Sequence, residues 1–155
     1  MNDDILSLMD KKIEQAERYR EISNKMIYED IDGVNEMLDR RQELITQIDG
    51  ISAEIKAYVN SQSVEKRDVL NNMLSFREVG ELSGELLELQ EKLMRYKEVK
   101  KQINEADRKI YKHIKEMKNE LAAEMVRSNR SKQVIDYFKT TSIDVDGGSK
   151  FNMSN

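Results

Sequence analysis

Apolar residues recur every three or four positions from one end of the chain almost to the other, and no proline interrupts them. An α-helix repeats every ~3.6 residues, so such spacing lays one apolar stripe along each of several rods. The pattern predicts a first helix from Asp4 to Tyr28, with Ile5, Leu8, Met9, Ile13, Ala16 and Tyr19 leading its stripe. Asn2 or Asp3 is placed to cap it. The acidic turn EDIDG at 29–33 follows, with Asp30 or Asp32 as the next cap. A second helix is expected to run to Val59. Gly50 lies inside it at a cost of about 1 kcal/mol relative to Ala, but Ile48 and Ile51 stay in phase across it.

The polar run NSQS at 60–63 predicts a loop, and Val64 to Phe76 a short, weak helix. Heptad-like spacing then continues through Val79, Leu82, Leu86, Leu89, Leu93 and Tyr96, and on through Ile103, Ile110, Ile114, Met117 and Leu121. Gly80 and Gly84 either allow close backbone packing or mark a joint between two helices; a joint somewhere in residues 76–84 is the preferred expectation, followed by one long helix to Ser128. Glu88–Lys92, Glu91–Arg95 and Glu105–Lys109 have the spacing of stabilising pairs along its solvated side. From Asn129 the composition turns to Ser, Thr, Asp, Asn and Gly, broken by the apolar patch Val134 to Phe138. The expected organisation is a helical domain over 1–138 and a mobile tail over 139–155.

These elements predict an all-α fold. The first two helices form an antiparallel hairpin, and the long C-terminal helix lies along it in a coiled-coil-like bundle. Lys100 and Asp107 occupy core-type positions of the long helix, while Val99 and Ala106 carry the stripe beside them. Polar residues there weaken a self-pairing coil or set its register.

Composition sharpens the picture. The chain is 36% charged and 38% hydrophobic, with no Trp, which suits elongated helices burying one stripe each better than a sphere with a deep core. The absence of Cys excludes disulfides and thiolate metal sites, and suits a reducing compartment. The acidic start MNDDILSLMD has no apolar run of signal-peptide length, and no stretch approaches the ~20 apolar residues of a membrane span. The expectation is a soluble cytoplasmic protein. Net charge is −4, with acids in excess over residues 1–60 and bases in excess over 97–127. A nucleic-acid patch would need Lys97, Lys100, Lys101, Arg108, Lys109, Lys112 and Lys115. The simpler expectation is that the basic helix packs beside its own acidic helices, with no nucleic-acid partner.

Chemistry-bearing motifs are few. His113 has no second ligand at metal spacing and reads as a surface residue. DVDGG at 144–148 starts like a calcium loop, but Ser149 stands where the loop needs Gly and Asn155 where it needs Glu. Glu29, Asp30 and Asp32 are accounted for by capping. No phosphate loop, zinc-protease motif or nucleophile elbow occurs, so the expectation is a non-enzyme without metal or cofactor. A binding surface is the better prospect. The chain has nine Met, a side chain that adapts to varied partners. Tyr111, Ile114, Met117, Leu121, Met125 and Val126 make an apolar face broader than one packing neighbour requires, suited to an amphipathic helix from another protein.

Three stretches carry a family resemblance: EDIDGVNEMLDRRQELITQID at 29–49, QINEADRKIYKHIKEMKNEL at 102–121, and NRSKQVIDYF at 129–138. Together they resemble flagellar type III export chaperones of the FlgN and FliT kind, over most of residues 1–138. The resemblance implies a small helical cytosolic protein that binds the C-terminal helices of late flagellar subunits, such as hook-associated or filament-cap proteins. It further implies delivery of those clients to a component of the export apparatus, with the last helix as the client-binding region. Two other readings stand beside it. One is a structural coiled-coil scaffold acting as a homodimer. The other is a nucleic-acid or regulatory binder using the basic stretch.

Overall fold

The computed structural model describes residues 4–128. Four helices make up the described chain: α1 (Ile5–Met26), α2 (Ile31–Asn60), α3 (Val64–Leu74) and α4 (Glu85–Ser128). The all-α architecture matches the sequence expectation. The tail boundary at 138/139 and the patch Val134 to Phe138 lie outside the described residues.

Local chemistry sets the helix ends. Asp4, rather than Asn2 or Asp3, caps α1, its Oδ1 accepting from the Ser7 N–H at 2.8 Å. Asp30 caps α2 in the same way, accepting from the Gly33 N–H at 2.9 Å. Each cap satisfies an amide that the first helical turn leaves bare, worth roughly 1 kcal/mol. Gly50 sits inside an unbroken α2, exposed and with open space around it. Ser63 caps α3 at the end of the NSQS loop. At the other end of α3, the Phe76 N–H bonds the Met73 carbonyl and the Arg77 N–H bonds the Asn72 carbonyl. Those two bonds form a Schellman motif, whose left-handed position ordinarily takes Gly. Here it takes Phe76, at φ 56°.

Residues 75–84 hold no helix, so the joint falls in the expected interval and takes up the whole of it. Val79 and Leu82 continue the heptad count but pack against the core as a non-helical strap. The strap ends at Gly84, whose φ of 59° only Gly adopts without strain, and α4 starts on the next residue. At 44 residues α4 is roughly 66 Å long.

α1 is the shared partner. α2 folds back on it through the turn at 27–30, while α4 runs parallel to it. Lys92 bonds Asp10 at 2.6 Å, Arg20 bonds Gln102 at 2.6 Å, and His113 bonds the Glu29 carbonyl at 2.9 Å. The main core joins Ile5, Met9, Ala16 and Tyr19 of α1 to Ile48 and Ile55 of α2, Leu70 and Met73 of α3, and Leu89 to Ile103 of α4. A second, smaller core lies at the hairpin turn: Met26, Val34, Ile110 and Ile114. No described helix is long and apolar enough to cross a membrane.

Candidate partner-binding face

Where α4 passes the hairpin turn, it leaves the two core clusters, although Met125 further along is still buried. His113 sits at the level of the turn, half-buried, with Nε2 donating to the Glu29 carbonyl. The expected surface residue is therefore a pin between α4 and the turn. Ile114 is in the small core, and Met117 packs partly against it. Met117 is the last α4 residue in either core cluster, yet the helix continues to Ser128, roughly 16 Å further.

The six residues expected to bind a partner separate accordingly. Ile114 is buried within the chain's own core, and Met117 is half-buried at its edge. Met125 is also buried, and Leu121 is half-buried. Tyr111, at 51% exposure, and Val126, at 82%, face outward. Tyr28 in the turn, which the sequence reading assigned only to the end of the first helix, is 83% exposed. A shallow pocket of about 280 Å³ beside it is lined by Ser23, Asn24, Ile27, Tyr28, Ala106 and Lys109. An amphipathic tyrosine held outward on a short turn is a common interface contact, and its position in the turn was the available sequence signal.

Behind this face lies a charged group that the sequence did not reveal. Arg41 of α2 is only 4% exposed. Its Nη2 donates to Asp107 Oδ1 of α4 at 2.9 Å and also to the Tyr19 hydroxyl of α1. Nη1 reaches Met26 Sδ at 3.4 Å, and the guanidinium lies over the Tyr19 ring, 4.4 Å from its centroid. One buried cation thus ties three helices together. Asp107 at a core-type position is explained: it is Arg41's counter-charge and fixes α4 in register. Burial pushes the Asp107 carboxyl above its ordinary range, and Arg41 pulls it part of the way back. Burial likewise raises the Tyr19 hydroxyl, against the pull of Arg41.

Charge on the remaining faces is mostly internal. Lys92 reaches Asp10 and Arg95 reaches Glu17, so two α4 bases pair across to α1 and not along α4 with Glu88 and Glu91 as their spacing suggested. The Asp10 carboxylate raises the Lys92 pKa chiefly by accepting its hydrogen bond. Bases of α4 thus meet carboxylates of the N-terminal half, as the charge asymmetry predicted, although α1 taken alone holds as many bases as acids or more. Among the described residues, no group of three or more His, Asp or Glu side chains could hold a metal ion. No protein-family model matches the chain, and no curated protein or solved structure matches it either.

Proposed function

We propose that this protein is a binding module that shelters an amphipathic helix of another protein, and specifically a flagellar export chaperone acting in the cytoplasm. Its client would be the C-terminal helix of a hook-associated or filament-cap subunit, held unassembled until it reaches a component of the export apparatus. The observation that carries this reading is the far end of α4. Three helical turns continue past the last core contact, and Tyr111 and Val126 of α4 and Tyr28 of the turn are exposed. A helix end of this kind offers apolar contact without a deep cleft, which suits reversible capture. The flagellar assignment rests on the sequence resemblance at 29–49 and 102–121.

One observation favours self-association as a second reading. Leu87 and Met94 stand seven residues apart on α4 and are 47% and 51% exposed. That heptad step is what a second copy of the chain would pair with in a scaffold.

One preparation separates the two. Tagged full-length protein is recovered from motile cells that make it, and its companions are identified by mass spectrometry. The chaperone reading expects a hook-associated or cap subunit in the wild-type preparation, absent from a Tyr111→Asp, Val126→Asp double variant of unchanged helicity. A preparation holding only a stable dimer, dissociated by Leu87→Glu and Met94→Glu, would replace it with the scaffold reading. Both substitution sets use exposed residues, because Met117 is tied to the small core and its loss would confound binding with folding.

A further inference from the structure

At the opposite end of the molecule from the turn, α1, α2, α3, the strap and α4 enclose a pocket of about 240 Å³. One part of its lining is apolar: Met9, Ile55, Val59, Leu93 and, from α3 and the strap, Leu74 and Phe76. The other part is cationic, with Lys12, Lys56 and Lys100 brought in from three different helices. No carboxylate lines the pocket. Among the described residues, none of the three lysines has a carboxylate oxygen within ion-pairing distance. This convergence occurs in a chain whose net charge is −4, where chance would favour the opposite sign.

Three further observations mark the place. Burial lowers the Lys12 pKa, Lys100 lowers it further, and Asp49 offsets part of the effect. Burial also lowers the Lys100 pKa. Two ammonium groups are therefore held near each other, partly out of water, with one acid, Asp49, acting on Lys12 from outside the pocket lining. The Ser52 Oγ is buried at the same wall and has no hydrogen-bond partner among the described residues. Lys12 Nζ lies 4.6 Å from the ring centroid of Tyr96, another lining residue, which holds the ammonium at the pocket wall.

We propose that this pocket binds a small amphipathic monoanion, a carboxylate carried on a single aromatic ring or a short branched aliphatic body. The carboxylate lies between Lys12 and Lys100, and the body rests on Met9, Ile55 and Leu93. Size sets the class. The pocket is larger than the ~150 Å³ apolar cavity that accepts benzene and smaller than the ~300–1,000 Å³ of sites for drug-sized ligands. The site is independent of the partner-binding face, since no residue lining it belongs to the turn or to α4 beyond Lys100.

The test uses the full chain, methyl-labelled at Met, Ile and Leu, titrated with 3-phenylpropionate. Saturable shifts are expected at Met9, Ile55 and Leu93. The uncharged 3-phenylpropionamide is expected to bind at least about ten-fold more weakly, and acetate not to saturate at about 10 mM. A Lys12→Met, Lys100→Met double variant keeps the aliphatic stems and removes both charges. It is expected to lose at least about ten-fold in affinity. A Lys112→Met, Lys115→Met control, on the far part of α4, is expected to leave affinity unchanged. Should the double variant misfold, the single variants Lys12→Met and Lys56→Met are titrated in its place, each expected to weaken binding measurably. The proposal is overturned by the absence of saturable shifts, by equal binding of acid and amide, or by equal loss in the control. Full retention of affinity in the folded pocket variants overturns it as well.

Discussion

The two ends of this bundle are built differently. At the strap end, α1, α2, α3 and α4 meet around one extensive apolar core that includes the fully buried Met9, Ile48, Leu70 and Leu89. At the turn end, only four buried apolar residues meet, and beside them three helices share the Arg41–Tyr19–Asp107 group. The first end is held by area removed from water and tolerates small adjustments of helix position. The second is held by directional bonds that exist in one register only. A buried ion pair is weak support for stability, since desolvating two charges consumes most of their attraction, but it penalises every alternative alignment. The apolar end thus supplies stability and the turn end supplies position, and the part of α4 beyond the core clusters starts where position has just been fixed.

The largest test of that contrast removes one member of the pair. Asp107→Leu leaves Arg41 buried without its counter-charge and is expected to cost about 3–5 kcal/mol in urea unfolding. Arg41→Met combined with Asp107→Leu is expected to return stability to the parent value or above it. A double variant as unstable as the single one would show that the pair contributes net stability. Met9→Ala at the strap end is expected to cost about 2–5 kcal/mol, with no second substitution able to restore it by matching charge. Asp30→Ala is expected to cost about 1 kcal/mol and to speed amide exchange first in the turn and the opening of α2. Gly50→Ala, with nothing near its side-chain direction, is expected to stabilise α2 by about 0.5–1 kcal/mol.

The smallest effect is on pH dependence. The Asp107 carboxyl titrates higher folded than unfolded. The folded state therefore binds the proton more readily, so this group's contribution to stability falls as pH rises from its unfolded value through its folded one. The difference between wild type and Asp107→Asn in urea midpoints across the acid range is expected to follow that sign. An opposite slope would mean that Arg41 outweighs burial at this site.

Much of this fold was legible in the sequence. Stripes at helical spacing located α1, α2 and α4, and unbroken phase across Gly50 held α2 together. Spacing alone failed over 75–84. Val79 and Leu82 are partly buried there for tertiary reasons, and the count of apolar positions does not distinguish a helical turn from a strap laid on the same core. Arg41 was illegible for a different reason. A basic pair in a charged helix reads as solvated surface, and only its partner Asp107, standing at a core-type position, hinted at burial. The convergence of Lys12, Lys56 and Lys100 has no signal along the chain, because the three come from separate helices. Of the binding face, Tyr111 and Val126 emerge on the surface, whereas Ile114 follows the stripe into the small core, since helical periodicity marks apolar positions without saying which neighbour covers them.

The parallel setting of α1 and α4 also imposes an order on how the chain is made. Arg41 meets Tyr19 across 22 residues of sequence, whereas Lys92 meets Asp10 across 82. At a synthesis rate of roughly 5–20 residues per second, the α1–α2 hairpin waits several seconds for the helix that covers its other side. During that interval the nascent hairpin presents to the cell the apolar stripe it later hides, and Arg41 stands beside Tyr19 with no acid opposite.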